Sequence, residues 1–494
     1  MKRIDQLTFT RFIMILLVLF YHNTGAFYIS FINFFPFSAL LTSAPTAVSY
    51  LYVLSGFVMA LVYFRPGEKF DTGGYWRARV TRIYPLYLIS FLLICVYYFD
   101  SLFRIKPQKI VANLFVLQAW IPAYSQSFNY SSWSMTVEFF FYAVFPFFVL
   151  WAYRRSTRAL IWGAVALWFA SQLVHFTLWV GYFPARSDII VYFPLFHLNS
   201  FVMGAAAGVW YLREGRDKIF PARLILSLLA GSFLFIAVYT VVSTDILPSL
   251  PHRLEPMAGL LAPLQALFIL ALALDNSKIS SLFQKPALVN LGETSYAIYI
   301  LHVPVFWLYE RYLQSSGIEN PEAVFNVTFL PMMILIGLGA HFLVDIPLRR
   351  RFKKFLENIN VPLFLLDLAI AGLTAFFIFQ LRFGGGREYR SYREMERLVF
   401  WVAFFASPAL ALIFGAYRRG ALEKTGVRWM SPILLSVTAS ALIVSGAAYL
   451  GYATAWFENF PRSVFVIQWL IVLSLSLVLR SAFRAWAPRS SLPA

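Results

Sequence analysis

A chain of 494 residues that is 60% hydrophobic, 19% aromatic and only 13% charged cannot hide its apolar surface from water by folding on itself, because most of its segments are apolar all round rather than along one stripe. Its net charge of +18 lies in short Lys and Arg clusters between apolar runs, the pattern that orients a membrane protein, and calls for no nucleic-acid partner. A single cysteine, Cys95, builds neither a disulfide framework nor a cysteine metal site, and no HExxH pair or carboxylate cluster points to a metal.

Runs of about twenty apolar residues cross roughly 30 Å of hydrocarbon at about 1.5 Å per residue. They predict an all-α, polytopic membrane protein of about fourteen transmembrane helices. The runs lie near residues 8–28, 46–64, 84–99, 133–152, 159–182, 191–211, 222–242, 257–274, 292–312, 325–346, 361–381, 398–416, 431–452 and 462–481. The first reads as an uncleaved span, since Arg11 interrupts it and no small-residue cleavage site follows. With the N-terminus in the cytoplasm, the loops on that side hold Lys2 and Arg3, Arg65 to Arg82, Arg154 to Arg158, Arg213 to Arg223, Lys278 and Lys285, Arg349 to Lys354, Arg418 to Arg428, and Arg480 to Arg489. That is most of the Lys and Arg, so both termini are expected in the cytoplasm. Against the trend, Arg382, Arg387, Arg390, Arg393 and Arg397 fall outside, partly offset by glutamates. The basic run from Arg349 to Lys354 divides a ten-span body, residues 1–355, from a four-span tail, residues 356–494.

Ionisable side chains at membrane depth are costly, and each is a candidate for function. Arg11 and His22 in the first span are eleven positions apart, close to three whole turns, so they share a face about 16 Å apart along the axis. The alternative is that Arg11 snorkels to the headgroups and His22 packs. In the second span, Ser55 and Gly56 are read as shaping a close helix crossing. Before the third, Arg79 and Arg82 are one helical turn apart with Arg77 nearby, as a pair clamping a phosphate would be; a basic loop that only sets topology is the other reading. The fourth span opens with Ser131, Ser132, Trp133 and Ser134, and Glu138 follows. Counted from the outer surface, with Trp133 at the interface, Glu138 reaches nearly the depth of His22, where a carboxylate could hold the imidazole as a general base. A glutamate bonded to helix hydroxyls such as Ser134 is the plainer possibility. In the ninth span Ser295, Tyr299 and His302 share one face just before Pro304, so His302 could be a second base, an acceptor-binding group or a packing residue.

Residues 1 to about 355 resemble the acyltransferase-3 family of membrane acyltransferases. The likeness rests on Arg11-x10-His22; Tyr52-x-x-Ser55-Gly56-Phe57; Arg79-x-x-Arg82 with Ile83, Pro85 and Tyr87; Ser132-Trp133-Ser134 through Glu138, Tyr142 and Pro146; Ser295-Tyr296 through Tyr299, His302 and Pro304; and Asp345-x-Pro347. Two pieces depart from the pattern, which usually has Phe at the position of Tyr52 and commonly Glu at that of Asp345. The resemblance implies transfer of acetyl or related acyl groups from cytoplasmic acyl-CoA, with acetyl-CoA as donor, to sugars of cell-surface polysaccharides. It further implies that Arg11, Arg79 and Arg82 help to hold the donor and that His22 is the essential histidine.

The tail, with Asp367, Leu381-Arg382-Phe383, Tyr417-Arg418-Arg419 and Pro461-Arg462-Ser463-Val464, resembles the membrane part of nucleotide-sugar dehydratases and epimerases of polysaccharide assembly. That implies docking to partner proteins of glycan synthesis; a plain membrane anchor is the alternative. The expectation is an O-acyltransferase of a bacterial inner membrane, acting on a glycan or lipid-linked saccharide among membrane lipids. A transporter or flippase for a lipid-linked glycan and an acyltransferase with a non-sugar acceptor are the rivals. His22 could deprotonate the acceptor hydroxyl or carry the acyl group itself.

Overall fold

The computed structural model describes residues 4–24, 44–99, 105–182, 187–242, 259–384, 389, 391–418, 420–421 and 426–486. Among them the chain is helical, with no strand beyond one isolated bridge between Ile359 and Arg418. Eleven of the described helices are long and apolar enough to cross a membrane, and two shorter apolar helices, Gln6–His22 and Ala262–Leu274, accompany them. Helices satisfy their own backbone polar groups, which hydrocarbon cannot do, and the chain is a multi-pass membrane protein. Each run expected to span overlaps a helix. Of the charges used to orient the chain, Lys2, Arg3, Arg387, Arg390, Arg419, Lys424 and Arg489 lie outside the described residues.

Two compact units divide the chain, Met1–Arg350 and Arg351–Ala494. In the first, α1 (Gln6–Leu19) runs into a π-helical turn at Phe20–Thr24, followed by α2 (Ala44–Tyr63) and α3 (Thr72–Tyr97). The expected start of α3 was residue 84, ahead of Pro85. The helix begins earlier because Asp71 caps it, accepting from the Gly74 amide at 2.9 Å, and Pro85 is absorbed inside a membrane helix rather than ending it. Arg77, Arg79 and Arg82 therefore belong to the helix and not to a loop.

After a short helix α4 (Pro107–Leu114) come α5 (Trp133–Tyr153), α6 (Thr157–Tyr182), α7 (Ser187–Tyr192) and α8 (Leu198–Trp210). The unit continues with α9 (Ala222–Val241), α10 (Ala262–Leu274), α11 (Lys278–Phe283), α12 (Pro286–Ser315) and α13 (Pro321–Gly339). A π-helical turn at Ala340–Asp345 ends α13 and leads into α14 (Ile346–Asn358).

Glycines allow α2 and α8 to touch through their backbones. A methyl group on Gly56 would lie 2.0 Å from the Phe201 carbonyl oxygen, and one on Gly204 would lie 1.8 Å from that of Val53. This contact carries part of the core, in which Phe141 of α5 stacks on Phe201 at 4.6 Å. A Gly204→Val change is expected to force the two helices apart at a cost of about 1–3 kcal/mol. Thermal unfolding of the detergent-solubilised protein checks it: an unchanged midpoint would show that the crossing bears no load.

The second unit contains α15 (Val361–Phe383), α16 (Arg393–Ile413), α17 (Ser431–Ala453) and α18 (Arg462–Trp486). Its sequence motifs meet one another. Asp367 accepts two bonds from Arg480, at 2.8 and 2.6 Å, and one from the Tyr417 hydroxyl at 2.8 Å. Arg382 donates to the Ser463 hydroxyl at 3.3 Å. Arg480, expected among the loop charges, is only 1% exposed, because α18 continues past it to Trp486.

Candidate active site

Helices α1 and α12 approach so closely that a methyl group on Gly292 would lie 2.1 Å from the Thr8 carbonyl oxygen. Farther along, the π-helical turn of α1 carries His22 against α12, where its ring stacks on that of His302 with centroids 5.5 Å apart. The Tyr130 ring closes on His22 at 5.1 Å.

His302 is fully buried, and its surroundings follow from Pro304. A proline has no amide hydrogen to donate four residues back, which leaves the Ile300 carbonyl without its helical partner. Ser90 of α3 and the Asn129 amide fill the gap, donating to that oxygen at 2.8 and 2.9 Å. Asn129 also donates to Ser90 at 2.8 Å and accepts from Ser131. The segment before α5 is thus tied to α3 and α12 at the level of the histidines. His302 Nδ1 donates to the Tyr299 carbonyl at 2.6 Å, since a carbonyl only accepts. In the neutral ring this leaves the lone pair on Nε2, which is buried with no hydrogen-bond partner among the described residues.

One turn inward, the Tyr299 hydroxyl bonds Ser134 at 2.6 Å and donates to the Ser131 carbonyl at 2.9 Å. Another turn along α5 comes Glu138, which accepts from the Tyr142 hydroxyl at 2.5 Å. Pro146 repeats the proline argument: the Tyr142 carbonyl that it frees accepts from the Tyr75 hydroxyl of α3 at 2.8 Å. Glu138 therefore stands among Tyr142, Arg79 and Arg82, within electrostatic reach of both guanidiniums.

This differs from the expected meeting of Glu138 with His22. The depth count took Trp133 as an interfacial anchor, whereas Trp133 is 6% exposed and packed among the rings of Tyr52, Tyr192 and His197. His22 has His302 for its neighbour instead.

Arg79 and Arg82 lie at the other end of α3 from Ser90, so about 12 Å of helix separates Arg82 from the level of the histidines. Arg79 is held over the rings of Tyr63 and Tyr142, 5.3 and 5.6 Å from their centroids, and donates weakly to the Met59 sulfur at 3.4 Å. Its Nε is buried without a hydrogen-bond partner among the described residues. No carboxylate bonds either arginine among the described residues, so both retain donors for an anion. Arg77 folds back over Gly73 at the start of its own helix and does not join them. Arg11, half-buried, acts on Tyr50 of α2. Ser55 is half-buried beside the crossing at Gly56, and Ser295 bonds its own helix at the Gly292 carbonyl, 2.7 Å away.

Some residues escaped the sequence reading. Tyr52, quoted there only as part of a motif, has a buried hydroxyl with no partner among the described residues and packs against Trp133, Phe141 and His197. Asn129 and Tyr130 sit in a connecting segment, where no helical period marks them. His341, Asp345 and Arg349, spaced four apart, share a helix face in sequence, but Asp345 and Arg349 were read only as motif and topology signals and His341 was passed over.

A helical membrane body enclosing paired histidines from α1 and α12, with an arginine pair on α3, defines an integral-membrane enzyme. The acyltransferase-3 family, described as an acyltransferase domain, matches residues 4–345. The chain belongs to this family and is a membrane acyltransferase. It is similar to acyltransferase MdmB of Streptomyces mycarofaciens, 28% identical over 293 residues that cover 54% of this chain and 69% of that protein. It is also similar to O-acetyltransferase OatA of Staphylococcus aureus, 23% identical over 335 residues, 62% of this chain and 53% of that protein. The chain thus spans about half the length of the staphylococcal relative. No solved structure matches it.

Proposed function

We propose that this acyltransferase takes an acetyl or other short acyl group from cytoplasmic acyl-CoA and transfers it to a hydroxyl of an envelope or exported polysaccharide or glycolipid. In this reading it works in a bacterial inner membrane with both termini in the cytoplasm. The observation that carries it is the stacked pair of His22 and His302, with a buried imidazole lone pair, about 12 Å along the direction of α3 from an arginine pair that no carboxylate among the described residues hydrogen-bonds. Arg79 and Arg82 would hold the donor's phosphates, and the acyl thioester would reach inward to the histidines.

An imidazole nitrogen accepts the acceptor's hydroxyl proton while the oxygen bonds to the thioester carbonyl carbon. The carbon–sulfur bond then breaks, and the proton leaves with the thiolate as free CoA. A saccharide acceptor is supported by a run of half-buried rings leading away from His22. Tyr130 lies 6.1 Å from Trp307, which lies 5.1 and 5.7 Å from Tyr97 and Tyr98, and such faces pack against the C–H faces of sugar rings.

Purified protein incubated with labelled acetyl-CoA tests the reading, alongside comparison of surface-glycan masses from deletion and parent strains. Label released or transferred by the wild type supports it, and Arg79→Ala and Arg82→Ala are expected to raise the donor KM about tenfold or more with a smaller effect on kcat. A glycan that crosses vesicles unacylated, with no donor consumed, would replace the enzyme with a transporter.

A further inference from the structure

Beyond the arginine pair, the same end of the first unit holds a charged cluster that the transfer step does not use. The π-helical turn at Ala340–Asp345 packs against α3 and α12. It turns Asp345 inward until the side chain is wholly buried. Both Asp345 oxygens are taken: Oδ1 accepts from Arg349 Nε at 2.7 Å, and Oδ2 faces His341 Nδ1 at 3.2 Å and the Arg349 Nη2 group. His341 is itself buried, with Nε2 4.0 Å from a Glu293 carboxylate oxygen.

Arg349 is therefore fixed by two of its nitrogens, while its side chain remains 27% exposed and its remaining N–H groups face away from Asp345. The Tyr296 hydroxyl donates to the Ile83 carbonyl at 2.6 Å, joining α12 to α3 beside Arg82. Across this junction Arg349 and Arg82 lie within electrostatic reach of each other. Arg82 thus lies within electrostatic reach of both Arg79 and Arg349, and among the described residues no carboxylate bonds Arg79 or Arg82. Cationic donors gathered with fewer acceptors than they can bond, in a poorly hydrated interior, are stable when an anion completes them. A simple structural ion pair would need no partly exposed guanidinium within electrostatic reach of a second arginine.

We propose that Arg349, braced by Asp345, is the third arm of a phosphate clamp shared with Arg79 and Arg82, and that it grips the phosphate-bearing half of the acyl-CoA donor. The inference rests on the acyl-CoA reading above and adds to it a residue on a different helix. Asp345 is a positioning residue: it fixes the fork of Arg349 so that less rotamer freedom is lost on binding.

Binding of CoA and of pantetheine, which lacks the phosphates, to the purified full chain in phosphatidylcholine nanodiscs tests the proposal. Arg349→Gln is expected to weaken CoA about ten- to hundredfold and to leave pantetheine unchanged. Arg349→Lys, which keeps charge but loses the fork, falls between, and it serves if the glutamine variant does not fold. Asp345→Asn shifts CoA in the same direction by a smaller factor. If Arg349→Gln and Arg349→Lys bind CoA as the wild type does while Arg82→Gln loses it, the third arm is wrong and the donor reading stands. If all three bind normally, the donor site itself is misplaced. Should adding phosphatidylglycerol to the nanodiscs displace CoA from the wild type but not from Arg349→Gln, the anion at Arg349 is a lipid headgroup and the proposal is overturned.

Discussion

His22→Ala is expected to lower turnover by about 10²- to 10⁴-fold, the range for losing a positioned acid–base group, while the donor KM stays within a few-fold of wild type. The split follows from the geometry, because His22 contacts His302 and Tyr130 and not the arginines. His302→Ala is expected to be similarly severe. Its Nε2 lone pair is the one oriented by a fixed bond, the 2.6 Å contact of Nδ1 with the Tyr299 carbonyl, and its ring is the face on which His22 rests. His302→Gln, which can still donate to that carbonyl, separates packing from proton transfer: it restores thermal stability without restoring rate if the imidazole is chemically required. Single-turnover labelling then assigns the roles. An acyl group retained on the wild type and on His302→Ala, but absent from His22→Ala, marks His22 as the carrier; no retained label in any of them marks general-base chemistry. Wild-type turnover in His22→Ala would end the proposal.

The membrane helices were legible because their signal is one of length and polarity. The residues that interrupt that signal, Arg11, His22, Glu138 and His302, were legible for the same reason. Spacing along one helix was equally readable: Arg79 and Arg82 one turn apart, or Tyr299 and His302 on one face. What the sequence could not give was rotation and depth between helices. His22 and His302 are 280 positions apart in the chain, and only the close approach of α1 to α12 at Gly292 sets one ring on the other. The expected meeting of Glu138 with His22 met the same difficulty, since the two lie on different helices and spacing along each does not say which faces turn to one another: Glu138 has Tyr142 beside it and His22 has His302. Prolines inside membrane helices do not end them, because in lipid the helix persists and neighbouring hydroxyl and amide groups can repair the lost bond. Ser90 and Asn129 do so opposite Pro304, and Tyr75 does so opposite Pro146.

Arg480→Ala is expected to destabilise the second unit by about 3–5 kcal/mol, the cost of leaving one partner of a buried ion pair alone. Asp367, 12% exposed, would keep only the Tyr417 hydroxyl in place of three charge-assisted or hydroxyl bonds. Asp367→Ala is expected to be as harmful, because Arg480 is 1% exposed and its Nε already lacks a partner. Replacing both at once, Asp367→Leu with Arg480→Met, removes the stranded charge together with its cause and is expected to recover most of the loss. Thermal melts of the four proteins in one detergent form the cycle that measures this. Additive losses would mean that the two side chains act independently and that the bond between them contributes nothing. Recovery in the double variant would show that Asp367, Tyr417 and Arg480 are matched to one another for packing. Acyl transfer by that variant in membranes would then ask whether the second unit contributes anything beyond a folded anchor.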